Sequence, residues 1–284
     1  MRLSLLKKLS PTTFVNRVLY GRAMSRPPII IVGMHRSGTT LLGDLMERCG
    51  LFQGASLSLN RESVFFQDVN RDLLDVTGSS WRKLDFLPSH QEMVKGNQWM
   101  PQRAEAHFRR NLITQHFGSK KSLLLNANAL WGWKEPRTSL FLPIYAKLFP
   151  RATVIHIYRD GRDVALSLLT RDVKRPGANP LTISQRQARF IQDMQLWQSY
   201  CERIEAARPL FPKSHIVRYE DLLANPLEEM QNLVDVCGLP SQGSLPDAIK
   251  ILDPSRASRV EKGGAEWTQG LERHAPLLKE LSYV

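Results

Sequence analysis

The 284-residue sequence has few cysteines, no N-glycosylation sequon and no long hydrophobic run. Its three cysteines, Cys49, Cys201 and Cys237, are widely spaced and no Cys-x-x-Cys pair occurs, which excludes a recognisable disulfide framework or zinc site. The longest apolar stretch near the start is Ile29–Val32, which is far too short to cross a bilayer. These absences favour a reducing, cytoplasmic setting.

Acidic residues are absent from residues 1–26, whereas six basic residues occur there. Leucines alternate with Lys7 and Lys8 up to Pro11, which we expect to stop any helix. The pattern fits a membrane-surface anchor or a transit peptide, and the simpler interpretation is a solvated, partly ordered tail. We therefore expect a basic tail over residues 1–26, with peripheral membrane contact left open, and one domain over residues 27–284.

The composition is that of a globular protein, with 42% hydrophobic and 23% charged residues, which excludes disordered and collagen-like classes. A formal net charge of +12 indicates an anionic partner, and nucleic acid, a membrane surface or a phosphorylated cofactor would each supply one. Half of that surplus lies in residues 1–26, so the remainder of the chain is only moderately basic.

Strand-like and helix-like segments alternate from residue 27 onward, and no internal repeat or linker interrupts them. This alternation predicts an α/β fold, a single domain with a central parallel sheet flanked by helices. The stretch from Gly78 to Gly118 has no recognisable motif, and we expect it to be irregular. Strands are expected at residues 29–32, 131–134, 153–158 and 215–219, and helices near residues 62–74, 138–148, 160–171 and 226–237.

The strongest site signal is the run Gly-Met-His-Arg-Ser-Gly-Thr-Thr at residues 33–40, between the first strand and a helix. Backbone N–H groups at such a junction bind phosphate, and Ser37, Thr39 and Thr40 add hydroxyl donors. Gly33 and Gly38 have the spacing of a nucleoside-triphosphate loop.

The loop departs from the triphosphate pattern at its most important position. Thr39 stands where the triphosphate loop requires Lys, and a cation occurs earlier, as Arg36. This arrangement suits a single 5′-phosphate that carries a charged group, and it argues against the alternative of a kinase that uses ATP and Mg²⁺.

A second candidate anion site follows the strand at residues 153–158. Arg159 ends this strand, at the edge where ligands of open α/β folds bind. Ser167 lies on the following helix and Arg171 one turn further on the same face. Two arginines and a hydroxyl on one side can hold a phosphate monoester.

The two motifs together resemble those of sulfotransferases that use 3′-phosphoadenosine-5′-phosphosulfate (PAPS). Arg36 resembles the tyrosylprotein and bacterial branch, whereas the cytosolic branch has Lys. The resemblance implies a P-loop NTPase-like fold and metal-free transfer of a sulfuryl group to a hydroxyl of a carbohydrate, lipid-linked sugar, tyrosine or small metabolite. It implies that residues 36–40 bind the 5′-phosphosulfate, and that Arg159, Ser167 and Arg171 bind the 3′-phosphate also present in the product, 3′,5′-adenosine bisphosphate (PAP).

The same resemblance implies the catalytic residues. Arg36 and Lys134 are the expected cations beside the transferring sulfate, and Glu62 is the expected base. An ordinary structural role remains open for Glu62, in the first turn of a helix capped by Asn60. His90 is the rival base, since an imidazole needs little pKa tuning.

Two weaker matches complete the predicted donor site. Tyr219, which we expect to end a strand, resembles the adenine-side tyrosine of the family, and Lys262 resembles a lysine that closes over the 3′-phosphate. The partner is then a hydroxylated acceptor and not nucleic acid. Besides the kinase, a non-catalytic scaffold that binds adenosine phosphates at a membrane surface remains an alternative.

Overall fold

The computed structural model describes residues 11–96, 98–177, 179–239, 245–253, 255 and 266–284. Lys262 lies outside these residues. No helix in the described part of the chain has both the length and the apolar character needed to span a membrane.

Four parallel strands form one sheet in the order β2-β1-β3-β4. The strands are β1 (Ile29–Val32), β2 (Gly132–Lys134), β3 (Thr153–Tyr158) and β4 (Lys213–Arg218). The sequence-based bounds of β1 and β3 are confirmed. The sequence predicts that the fourth strand ends at Tyr219, whereas β4 ends at Arg218.

Twelve helices are assigned among the described residues, and short 3-10 or π turns join several of them. The turns are Leu112–Phe117 (π) and Gly118–Leu125, Pro136–Phe141, Arg208–Leu210, Ile249–Ile251, Glu266–Thr268 and Glu272–His274 (3-10). The helices are α1 (Pro11–Ser25), α2 (Thr39–Arg48), α3 (Val64–Asp75), α4 (His90–Lys95), α5 (Trp99–Asn111), α6 (Leu142–Leu148), α7 (Gly161–Val173), α8 (Ile183–Ala207), α9 (Tyr219–Ala224), α10 (Pro226–Cys237), α11 (Leu245–Ala248) and α12 (Leu277–Glu280).

Alternate residues of the strands point to opposite faces of the sheet, and each face packs on its own core. Ile30 and Val32 belong to the larger core, with α3, α5 and α8. Ile29 and Ile31 belong to a smaller core, with α2 and α10. Burial on both faces explains why β1 is continuously β-branched and apolar, and it confirms the predicted α/β fold with a parallel sheet flanked by helices.

The expectation for residues 78–118 is wrong. The stretch from residue 78 to 118 is not irregular, because it contains α4 and α5. Ser89 starts α4 with a capping box to Glu92, a local signal that the neighbouring Pro88 and Gly96 obscure. Helix α1 begins at Pro11, where a missing N–H costs no hydrogen bond, and the expectation that an earlier helix stops at Pro11 concerns residues 1–10, which lie outside the described residues.

Helix α1 is packed against the body of the protein. Leu19 and Ala23 are buried in the larger core. Arg22 donates to the carbonyl of Leu124, 3.4 Å away, and Arg26 to that of Asn126, 2.7 Å away. Residues 11–25 of the basic segment are therefore helical and partly packed on the larger core.

Candidate active site

A cavity of about 720 Å³ lies at the carboxyl edge of the sheet, where open α/β folds bind their ligands. Each of the strands contributes there: β1 leads into the loop at residues 33–38, β2 ends at Lys134, and Arg159 and Tyr219 directly follow β3 and β4. The lining residues predicted from the sequence are Arg36, Gly38, Thr39, Thr40, Glu62, Arg159, Ser167, Arg171 and Tyr219.

The loop at residues 33–38 and the start of helix α2 bring several hydrogen-bond donors together. Helix α2 begins at Thr39, and its N-cap, Gly38, has no side chain to accept from the first N–H groups. The Ser37 hydroxyl is buried and has no hydrogen-bond partner among the described residues. Thr39 and Thr40 line the cavity directly above this turn. Such a cluster of donors at a helix N-terminus suits an anion.

Arg36 joins the two predicted anion sites. Its backbone has a positive φ of 74°, which is rare for a residue with a side chain. Its Nε donates to Oγ of Ser167, 2.9 Å away, although the two residues are 131 positions apart in the sequence. Ser167 is followed one helical turn later by Arg171, which also lines the cavity. The structure thus brings the two motifs into one site.

Arg159 and Tyr219 form one wall of the same cavity. The Arg159 guanidinium lies 4.6 Å from the centre of the Tyr219 ring, and its Nη2 donates to Asp163, 2.8 Å away. Arg159 is only 7% exposed, so its orientation is restricted. The ring of Tyr219 also packs closely against Gly38 of the loop.

Lys134 and Glu62 lie together beneath the loop. The Nζ of Lys134 is 3.8 Å from a Glu62 carboxylate oxygen, and it donates to Oγ1 of Thr40 and to the carbonyl of Asn60. Burial lowers the pKa of Lys134 to about 8, and the nearby carboxylates oppose this shift. Glu62 also accepts a hydrogen bond from the amide of Gln67. The pKa of Lys134 therefore lies close to neutral pH, and a bound anion would raise this pKa.

The position of Glu62 follows from contacts on both sides of it in the sequence. Arg61 pairs with Asp44 of α2, at 2.8 Å, and with Glu47. The N–H of Ser63 donates to the carbonyl of Lys134, 3.2 Å away. Ser63, and not Asn60, is the N-cap of α3, so Glu62 precedes the helix. The expectation that Asn60 caps this helix is wrong.

A second cavity, of about 900 Å³, adjoins the first. His35, Asn60, Glu62 and Arg171 line both cavities, so Glu62 lies at their junction. The Trp81 ring, which lines the second cavity, is close to two guanidinium groups. Arg82 is 4.6 Å from the ring centre and Arg171 is 5.2 Å from it.

His90 occupies a different place. It begins α4 and is not among the residues that line either cavity. Burial, and to a smaller extent Arg203, lowers its pKa. Of the two candidate bases, Glu62 lines the cavities and His90 does not.

Sequence reasoning missed two residues that the structure places at this site. His35 lines both cavities, and burial followed by the charges of Arg137 and Arg171 lowers its pKa well below the usual value. Its imidazole is therefore neutral at neutral pH. The sequence feature that could have indicated His35 is its position directly before Arg36 in the loop. Gln67 had no sequence signal, because its role depends on how α3 packs.

Comparison with known proteins gives consistent results. A family model described as the sulfotransferase family matches residues 27–243. A putative protein-tyrosine sulfotransferase of Caenorhabditis elegans is 32% identical over 108 residues, 38% of this chain and 39% of that protein. A protein of the same name from Caenorhabditis briggsae is 26% identical over 217 residues, 74% of this chain and 65% of that protein. The chain thus covers less than two thirds of either relative.

The fold comparison agrees. The sulfotransferase domain from the curacin biosynthetic pathway superposes with a TM-score of 0.53 and 18% sequence identity, covering 91% of this chain and 99% of that domain. At this level of identity the similarity shows a shared fold.

Proposed function

The chain belongs to the sulfotransferase family, and from this premise we propose that it transfers a sulfuryl group from PAPS to a hydroxyl group of an acceptor. The observation that carries the proposal is the convergence of two anion sites on one cavity, joined by the hydrogen bond from Arg36 to Ser167. A donor with phosphate groups at both the 5′ and the 3′ position requires such a pair of sites. A nucleoside triphosphate requires only one.

We assign the donor's two ends to the two motifs. The hydroxyls and N–H groups of residues 37–40 bind the 5′-phosphosulfate, as expected at a helix N-terminus. Arg159, Ser167 and Arg171 bind the 3′-phosphate, for which guanidinium groups offer two-point hydrogen bonding. The ring of Tyr219 supports the adenosine between them.

The protein's contribution to the reaction is positioning and charge stabilisation. The donor supplies the sulfuryl group, whose bond to the bridging phosphate oxygen breaks as the acceptor oxygen bonds to sulfur. Arg36 and Lys134 stabilise the negative charge that grows on the bridging oxygen. Glu62 takes the acceptor's hydroxyl proton, and the acceptor enters through the second cavity. Lys134 holds the Glu62 carboxylate at the junction.

Replacing Glu62 with Gln tests its role as the base. We expect transfer to slow by about a hundredfold or more, because a carboxamide cannot accept the hydroxyl proton. PAP affinity should remain unchanged. Transfer is measured with radiolabelled donor at a saturating concentration. The acceptor is a tyrosine-containing peptide, which the names of the curated relatives suggest, and a parallel assay uses an extract of host cells as the acceptor source.

The matched control is Glu105→Gln, since Glu105 is half-buried on α5, does not line either cavity, and forms an ion pair with Arg109 in the same helix. It should transfer at the wild-type rate. If Glu62→Gln also keeps the wild-type rate, Glu62 is not the base, and the neutral His35 at the same junction becomes the residue to test.

Ligand-induced stabilisation separates this function from the two alternatives. PAP at a hundred times its dissociation constant should raise the free energy of unfolding by about 2.7 kcal/mol, and ATP with Mg²⁺ at the same concentration by much less. Thermal unfolding followed by fluorescence measures both. A preference for ATP with Mg²⁺ would indicate a kinase, and binding of PAP without any transfer from labelled donor would indicate a non-catalytic scaffold.

A further inference from the structure

Tyr283, which follows α12, packs against the ends of two adjacent strands. Its hydroxyl donates to the carboxylate of Glu220, 2.8 Å away, which lies just beyond β4. Its ring lies 4.4 Å from the guanidinium of Arg218, the last residue of β4. Its ring also meets the ring of Tyr158, the last residue of β3, edge-on at 6.3 Å. Its carbonyl accepts from Nη2 of Arg162 in α7, 2.8 Å away.

The Glu220 carboxylate extends this contact to the backbone beyond β3. One of its oxygens accepts from Tyr283, and the other accepts from the N–H of Asp160, 3.1 Å away. Burial raises the pKa of Tyr283, so its hydroxyl keeps the proton that it donates. A chain of two hydrogen bonds therefore links Tyr283 to the first turn of α7.

The residues that Tyr283 contacts are the sequence neighbours of the donor-site residues. Arg159 lies between Tyr158 and Asp160, and Tyr219 lies between Arg218 and Glu220. Tyr283 is not among the residues that line the donor cavity. It contacts the residues at both strand ends without itself lining the cavity.

We propose that Tyr283 is a positioning residue for the nucleotide end of the donor site. By holding the ends of β3 and β4 in a fixed relation, it keeps the Arg159 guanidinium stacked on the Tyr219 ring before the donor binds. This inference rests on the proposed function, since it assumes that Arg159 and Tyr219 hold the donor. Side chains locked by such supporting contacts bind with less ordering cost than mobile ones.

The variant Tyr283→Phe removes the hydroxyl and retains the ring that packs on Arg218 and Tyr158. We expect the dissociation constant of PAP to rise about tenfold, as for a lost hydrogen bond to a charged group. The KM for the acceptor and kcat at saturating donor should stay at wild-type values. Isothermal titration calorimetry gives the first quantity, and initial rates give the other two.

Two further variants separate positioning from general stability. Tyr20→Phe makes the same chemical change on α1, where the ring lies 5.8 Å from the Arg109 guanidinium of α5, and should leave the dissociation constant unchanged. Glu220→Gln should weaken PAP binding, and adding Tyr283→Phe to it should cause little further loss, because the two residues act through one hydrogen-bond chain. This pair also carries the test if the single Tyr283 variant fails to fold.

The measurements on these variants distinguish a positioning role of Tyr283 from a purely structural one. If Tyr283→Phe lowers the melting temperature but binds PAP within twofold of wild type, Tyr283 is structural only and the inference is wrong. Additive effects of the Tyr283 and Glu220 variants would also overturn it. If the wild-type protein itself does not bind PAP, the proposed function fails first, which distinguishes the two failures.

Discussion

Replacing Arg36 with Ala is expected to abolish measurable transfer, a loss of about a thousandfold or more. In the proposed mechanism Arg36 provides positive charge where the bridging oxygen becomes negative, and in the structure its Nε also donates to Ser167. Arg36 is exposed and lines the cavity, and its positive φ strains arginine and alanine alike, so the substitution adds little backbone strain. Rates with radiolabelled donor and circular dichroism spectra of both proteins are compared.

The conservative variant Arg36→Lys distinguishes charge from geometry. Lysine restores a positive charge, but it cannot keep the Ser167 contact in the planar arrangement of a guanidinium. We expect it to recover part of kcat while the dissociation constant of PAP remains raised. An Arg36→Ala protein that folds normally and transfers within tenfold of wild type would remove Arg36 from the catalytic site.

The parts of the structure that follow from local patterns were predictable from the sequence. The β-branched residues 29–32 and 153–158 gave correct strand bounds, because burial on both faces of the sheet imposes a continuous apolar run. The loop at residues 33–38 was also predictable from a local pattern, since its hydrogen-bond donors come from one short strand-to-helix turn. Arg159 and Ser167 were predictable for the same reason.

The placement of Glu62 depends on contacts between distant residues, and the family resemblance indicated this residue without any local pattern to support it. Glu62 is placed by the pairing of Arg61 with α2 and by α3, whose Phe66 stacks on Trp133 of β2 at 3.7 Å between ring centres. Nothing in residues 51–63 is periodic. The second cavity likewise joins Trp81 to Arg171, which are far apart in the sequence.

For Tyr219 the sequence predicts the position at the cavity correctly but the secondary structure incorrectly. The sequence indicated a strand up to this residue, yet helix α9 begins there. The side chain lies at the cavity in either description, because it follows directly on the carboxyl end of β4. A one-residue error at an element boundary therefore did not displace the residue from the site.

Gly38→Ala is expected to eliminate donor binding, raising the dissociation constant of PAP at least about a hundredfold. Two constraints act on this position. Its φ of +96° strains any residue that has a Cβ, and a Cβ there would lie 2.3 Å from Cδ2 of Tyr219. The neighbouring ring cannot move aside without leaving the Arg159 guanidinium that stacks on it. The added Cβ therefore disturbs the loop directly, and it disturbs the second predicted anion site by displacing Tyr219 from Arg159.

Gly177→Ala is the control that isolates backbone strain. Gly177 has a φ of +78°, and no described atom lies within 4 Å of the position that a Cβ would occupy, so alanine there meets strain without a clash. We expect it to lose about 1–2 kcal/mol of stability and to bind PAP normally. Combining Gly38→Ala with Tyr219→Ala should recover part of the lost melting temperature, because it removes the ring that clashes. Normal PAP binding by Gly38→Ala would show that the loop tolerates a displaced Tyr219, and the assignment of that ring to the donor site would then be wrong.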